Sequence, residues 1–110
     1  MANLDPERDM IRLCRRLILE YLNVPFPGCL PEMTICEAMV GLSNPIPPRF
    51  VQRDLGYLAG RGLLKREERE DDSPQLVKGM PRLKVAWWSL TSDGVLFVER
   101  GFPWQEIEEL

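Results

Sequence analysis

The side chains best suited to binding chemistry are the hydrogen-bonding residues Arg49, Gln52 and Arg53, which lie in the stretch Pro48–Leu64. If this stretch is helical, the two arginines share one face with two glycines, and Gln52 lies at the margin of that face. Such a face is small, basic and rich in hydrogen-bond donors, which suits a helix that lies in a DNA groove. We expect both arginines to point outward, without internal ion pairs. Internal ion pairs of Arg49 and Arg53 together, or burial of this segment under other parts of the molecule, would rule out this interpretation.

The helix that would position this face is predicted by the apolar pattern of the same stretch. Val51, Leu55 and Leu58 recur at i, i+4 and i+7, which predicts one apolar stripe that faces a core. Pro48 suits the first helical position, and the run Gly60–Gly62 is typical of a helix end. An apolar run of strand type follows directly.

Composition argues against most kinds of enzyme and metal site. The chain has 110 residues, of which 45% are hydrophobic and 28% charged, as is ordinary for one globular domain. It has no histidine, and its three cysteines lack motif spacing, so we expect no metal site, no cofactor and no enzymatic activity. No apolar run approaches the ~20 residues that span a bilayer, and no signal-peptide pattern is present, so we expect a cytoplasmic protein without a membrane partner.

The charge balance counts against DNA binding. The net charge is −3, and the acidic residues concentrate in the second part of the chain. Residues 1–65 carry eight Arg or Lys against seven Asp or Glu, whereas residues 66–110 carry six against ten. A DNA-binding protein of this composition needs a local basic face rather than a basic surface overall.

Two helices are predicted before the central one. The first begins with the capping run Asp5–Glu7 and ends at Asn23, where a proline-rich segment follows. Its predicted core-facing positions are Met10, Leu13, Cys14, Leu17, Ile18, Tyr21 and Leu22. The second is predicted to begin at Thr34, which forms a capping box with Glu37, and to run to Leu42.

A β-hairpin and a short helix are predicted after the central helix. Segments 63–69 and 83–90 read as two antiparallel strands that are joined by a long loop. The run Thr91–Gly94 then caps a helix that ends at Gly101, and the remaining residues form an acidic tail.

Three local patterns occur in a characteristic order. Thr34–Ser43 reads as a helix and the start of a turn, Val51–Arg66 as a helix that leads into a strand, and Trp88–Gly94 has the form aromatic-x-Leu-Thr-x-x-Gly. Together they resemble the winged helix-turn-helix domain of bacterial transcription regulators. The resemblance implies a mostly helical α+β fold with a three-helix core, a two-stranded β wing and a short C-terminal helix. We expect this domain over residues 1–101 and an acidic C-terminal tail over residues 102–110.

The resemblance also implies a function. It indicates a transcription regulator of bacterial or prophage origin that reads the major groove of double-stranded DNA with helix 48–60 and touches the backbone with the 70–82 wing. The DNA-binding residues that it implies are Arg49, Gln52, Arg53, Lys78, Arg82 and Lys84. Arginine can pair with guanine and glutamine with adenine, and each good pair contributes ~1–3 kcal/mol of discrimination.

An alternative stays open at this point. The turn before the central helix is longer than usual and rich in proline, the start of the wing is acidic, and Gly56 and Gly60 occupy the recognition face. These features favour a winged-helix module that binds another protein and has no DNA affinity of its own.

A second candidate interface lies on the strand 83–90. Trp87 and Trp88 point to opposite faces of this strand, and the Leu-Thr pattern places Trp88 in the core. The opposite face is an apolar stripe that needs a cover, which the tail residue Trp104 or a second subunit would supply. We therefore expect a homodimer or a protein partner here. The predicted interface residues are Leu83, Val85, Trp87 and Trp104.

Overall fold

The computed structural model describes residues 6–70, 79, 81 and 83–108. Its elements in chain order are α1 (Pro6–Asn23), β1 (Leu30–Pro31), α2 (Glu32–Val40), α3 (Pro48–Gly60), β2 (Leu64–Glu70), β3 (Lys84–Leu90), α4 (Ser92–Glu99) and a 3-10 turn (Trp104–Glu106). The strands form one antiparallel sheet in the order β1-β3-β2. This arrangement confirms the predicted α+β winged-helix fold.

The central helix α3 packs as its sequence pattern predicts. Val51, Leu55 and Leu58 are fully buried, and burying each such side chain contributes about 1.5–3 kcal/mol. Pro48 occupies the first turn as predicted, and Gly62 follows the helix with a φ of 78°, which glycine adopts without steric cost. The apolar stripe therefore fixes which face of α3 points outward.

The helix α1 ends as predicted, but its buried face differs from the predicted one. Leu19 is fully buried, whereas Met10 and Leu13 are 53% and 45% exposed. Because α1 contacts α3, β3 and α4, its buried face is broader than one stripe and lies mainly in its second half. The predicted capping residue Asp5 lies outside the described residues.

The helix α2 begins at Glu32, two residues before the predicted start at Thr34, and no side chain caps it. The predicted capping box is therefore wrong. The physical reason is a pairing that local sequence does not reveal: Leu30 and Pro31 pair with β3 as a third strand. Immediately afterwards, the carboxylate of Glu32 accepts a hydrogen bond of 3.1 Å from the indole N–H of Trp88. These long-range contacts set the start of the helix.

The β-hairpin forms as predicted. β2 and β3 pair antiparallel from Leu64 opposite Leu90 to Glu70 opposite Lys84. Trp88 and Leu90 are both 4% exposed, which confirms that their face of the strand contacts the core.

The junction between the sheet and α4 explains the Leu-Thr-x-x-Gly pattern. The hydroxyl of Thr91 accepts a hydrogen bond of 3.0 Å from the backbone N–H of Gly94, which confirms the predicted cap. A Cβ atom at Gly94 would overlap the carbonyl oxygen of Leu63. Glycine is therefore required where α4 crosses the start of β2.

The segment after α4 packs against its own chain. The rings of Phe102 and Trp104 lie 6.2 and 5.1 Å from the ring of Phe97, measured between centroids. Trp104 thus belongs to the core rather than to a cover over Trp87, and the side chain that lies over Trp87 is Arg69, 4.7 Å from the ring centroid. Within the described ranges, no helix is long and apolar enough to span a membrane.

Candidate nucleic-acid interface

The outward face of α3 carries the three polar side chains that the sequence singles out. Arg49, Gln52 and Arg53 are all exposed. Gly56 and Gly60 share this face, and a Cβ atom built on either glycine meets no atom within 4 Å. The face is therefore open, and the structure confirms that these residues lie together on it.

The ring of Phe50 contacts both arginines of this face. The guanidinium carbon of Arg49 lies 4.7 Å from the centroid of this ring, and that of Arg53 lies 5.0 Å from it. Each cation–π contact at an exposed site contributes about 0.5–1 kcal/mol. Within the described part of the chain Arg49 forms no ion pair, so its donors face solvent, as predicted.

Arg53, in contrast, is held by an internal carboxylate. Its Nε and Nη2 atoms donate to the two carboxylate oxygens of Asp54, both at 3.1 Å. The Nε atom of Arg15, in α1, donates to the same carboxylate at 3.1 Å. Asp54 is fully buried, and the side chains of Arg53 and Arg15 are 43% and 13% exposed. The prediction that both arginines lack internal ion pairs is therefore wrong for Arg53.

This ion pair has a physical origin and a consequence. A carboxylate in the core must be paired. The third group beside Asp54 is the buried thiol of Cys14. Burial of this thiol and its interaction with the carboxylate raise the pKa of Cys14 to about 12. The bidentate contact leaves three of the five N–H donors of Arg53 unused. The hydrogen bonds to Asp54 also raise the pKa of Arg53. Asp54 therefore orients a permanently charged guanidinium whose outer edge can still donate.

Gln52 is held more loosely than Arg53. Its Nε2 atom donates to the carboxylate of Glu32 across 3.4 Å, which is long for a hydrogen bond. The same carboxylate accepts the shorter bond from Trp88, which anchors Glu32. Gln52 can therefore exchange this exposed contact for a better one.

The wing is only partly described. Lys78 and Arg82 lie outside the described residues, and Lys84 is exposed at the start of β3, opposite Glu70. β2 carries two exposed ion pairs, in which Arg66 contacts Glu68 at 3.0 Å and Arg69 contacts Glu67 at 3.1 Å. Such exposed pairs contribute little to stability. With three basic and three acidic residues, β2 itself is neutral.

Two residues of this site are absent from the sequence prediction. Asp54 flanks the apolar stripe of α3 and follows an arginine, which is the signal that could have identified it as a buried partner. Glu32 gives no comparable signal, because its role depends on Trp88, which lies 56 positions further along the chain.

Comparisons with known proteins define the structural class of the chain as a winged-helix domain. No protein-family model matches the sequence, and no curated protein is significantly similar to it. Among solved structures, a candidate transcriptional regulator from Thermoplasma acidophilum is 17% identical, with a TM-score of 0.67 over 90% of this chain and 86% of that chain. A PadR-family transcriptional regulator from Eggerthella lenta is also 17% identical, with a TM-score of 0.56 over 93% and 85% of the two chains. At this identity the similarity establishes the fold.

Proposed function

We propose that this chain is a small DNA-binding transcription regulator that inserts α3 into the major groove. The observation that carries this proposal is the open outward face of α3, on which a buried carboxylate orients Arg53 beside Arg49 and Gln52. Both of the similar structures are described as transcriptional regulators, which supports the proposal.

The geometry suggests how each side chain would act. The outer edge of Arg53 would donate two parallel hydrogen bonds to guanine, and Gln52 would exchange its contact with Glu32 for adenine, at ~1–3 kcal/mol of discrimination per good pair. Arg49 in the first turn would contact a base edge or the backbone. Lys84, together with the predicted wing residues Lys78 and Arg82, would contact phosphate and fix the register of the helix on the duplex.

We also propose that the regulator acts as a homodimer, because one short helix reads few base pairs and two copies would read two half-sites. Leu83 is 74% exposed, and Val85 and Trp87 on the same face of β3 are partly exposed. Multi-angle light scattering should give a dimer for the parent and a monomer for Leu83→Lys. A monomeric parent at ~100 μM, far above a typical nM–μM dissociation constant, would refute this interface.

The test of DNA binding is a fluorescence-anisotropy titration of a duplex that the parent protein selects from genomic fragments, with the parent and with the double variant Arg49→Ala, Arg53→Lys. Lysine keeps a positive charge beside Asp54 but loses the planar fork, so the fold is preserved. We expect affinity to fall more than about tenfold, as for the loss of one or two good contacts. Arg100→Ala, which removes an exposed arginine paired with Glu106, is the matched control and should bind as the parent does.

The salt dependence of the affinity for DNA distinguishes the proposed DNA-binding function from the alternative, a protein-binding module. Phosphate contacts release counterions, so the affinity of the parent should fall steeply between ~50 and ~200 mM salt. A parent that has no measurable affinity for duplex at the lower salt concentration would contradict the proposal and favour the protein-binding module.

A further inference from the structure

A carboxylate from a different helix lies at the edge of the outward face of α3. It belongs to Glu32, the first residue of α2, which the pairing of Leu30 and Pro31 with β3 brings to this position. Its Oε2 atom lies 3.4 Å from the Nε2 atom of Gln52, whose side chain is exposed. Glu32 therefore reaches the surface on which the proposed recognition of DNA depends.

The other oxygen of Glu32 is anchored in the core. Oε1 accepts a hydrogen bond of 3.1 Å from the indole N–H of Trp88, and Trp88 is only 4% exposed. If the carboxylate turned away, this buried N–H would lose its partner, which is unfavourable. The anchor therefore commits Oε1 to Trp88 and leaves Oε2 on the side of Gln52.

The charge of Glu32 is not neutralised by a basic side chain. Among the residues that the structure describes, Glu32 forms no ion pair, and its two side-chain contacts, Trp88 and Gln52, are neutral. An ionised carboxylate only accepts hydrogen bonds. A negative charge at a face that meets DNA is unfavourable beside phosphates, so Oε2 needs a hydrogen-bond donor from the bound duplex.

Cytosine is the base that supplies such a donor. In the major groove its N4 amine is a donor without a neighbouring acceptor, whereas guanine presents the acceptors N7 and O6, thymine the acceptor O4, and adenine an acceptor beside its amine. Successive bases of one strand lie ~3.4 Å apart, which matches the separation of the polar ends of Glu32 and Gln52. These two side chains therefore suit two neighbouring bases.

We propose that Glu32 is a specificity-determining residue, whose Oε2 atom accepts a hydrogen bond from N4 of a cytosine when Gln52 turns to the neighbouring adenine. The anchored carboxylate also rejects guanine and thymine, because their acceptors would face another acceptor. Glu32 thus adds one base to the short sequence that α3 reads. This inference rests on the proposed DNA-binding function.

The test is selection from a randomised duplex pool by the parent, Glu32→Gln and Glu37→Gln, followed by anisotropy titrations of the selected duplexes. In Glu32→Gln the amide oxygen still accepts from Trp88, so the amide nitrogen, a donor, replaces Oε2. We expect the parent to favour cytosine at one position by about five- to a hundredfold, as for one good contact, and Glu32→Gln to lose this preference at that position alone. Glu37→Gln removes an equal charge from an exposed site on α2 and should keep the preference of the parent.

The ratio of affinities between duplexes decides the outcome, because a loss of negative charge alone raises the affinity for all sequences alike. Identical base preferences of the parent and of Glu32→Gln, shown to be folded by circular dichroism, would overturn the inference and leave the DNA-binding function standing. A parent that selects no duplex would refute that function and, with it, this role of Glu32.

Glu32→Asp is an independent test, because it keeps the charge but draws the carboxylate back from the outward face of α3. The preference for cytosine should fall by at least about threefold, a part of one good contact. An unchanged preference would show that the position of this carboxylate does not determine the base, which would also overturn the proposal.

Discussion

Replacing Asp54 by asparagine tests the buried ion cluster on which the outward face of α3 depends. The substitution keeps the shape of the side chain but removes the charge that Arg15 and Arg53 share. The Arg15 side chain is only 13% exposed and so cannot regain full hydration, whereas the Arg53 side chain, 43% exposed, regains part of it.

The magnitude follows from this burial. Removing one partner of a fully buried ion pair costs about 3–5 kcal/mol, and the partial exposure of Arg53 places this case at the lower end. We therefore expect a loss of about 3 kcal/mol in the free energy of unfolding, which corresponds to a fall of roughly 10–15 °C in Tm for a domain of this size.

Urea unfolding followed by tryptophan fluorescence measures this loss, and the slope m should stay constant. Glu20→Gln is the matched control, because it removes an exposed carboxylate paired with Arg16 and should change stability by less than about 1 kcal/mol. If Asp54→Asn unfolds within about 0.5 kcal/mol of the parent, a difference typical of a neutral surface substitution, the cluster does not hold α1 against α3 as described.

Three further predictions follow from the same structure. Gly94→Ala should destabilise the protein by about 2 kcal/mol or more, since its Cβ would overlap backbone. Gly56→Ala, on the open face, should stabilise the protein by roughly 0.5–1 kcal/mol. In thermal melts, Gly94→Ala should lower Tm and Gly56→Ala should raise it. Tm changes of the same sign would contradict the packing described around these two glycines. Hydrogen bonds from Arg12 lower the pKa of Glu108 in the folded protein. The contribution of this ion pair to stability is therefore present above the ordinary Glu pKa of about 4.3 and is lost as pH falls through the lowered value. Melting temperatures of the parent and Glu108→Gln should therefore differ at pH 7 and converge at low pH. A difference that persists at pH 2 would show that the ion pair between Arg12 and Glu108 is not its cause. Cys14, with a thiol pKa of about 12, should resist a thiol reagent at pH 8 that labels Cys29 in the folded protein, and rapid labelling of Cys14 would show that it is not buried.

The parts of the fold that the sequence predicts correctly are those with local signals. The bounds of α3 follow from Pro48, the apolar stripe and the glycines near its end, and the pattern around Thr91 predicts the cap of α4. Each of these signals lies within a few residues of the element that it controls, so no knowledge of distant contacts is needed.

The parts that sequence reasoning missed depend on distant contacts. The start of α2 depends on the pairing of Leu30 and Pro31 with β3. The burial of Asp54 depends on Arg15, 39 positions away, and the ion pair of Arg12 depends on Glu108, 96 positions further along the chain. Periodicity identifies which face of a helix is apolar, but it does not identify which charges from another helix will meet that face.

The affinity of Arg49→Ala for a duplex that the parent protein selects from genomic fragments is the most direct test of the proposed recognition face. Arg49 lies on that face and has no ion pair in the described part of the chain, so its loss leaves the fold intact. We predict binding weaker than that of the parent by about five- to a hundredfold, the range for one lost specific contact. Affinity equal to that of the parent and of the Arg100→Ala control would show that the outward face of α3 does not bind DNA.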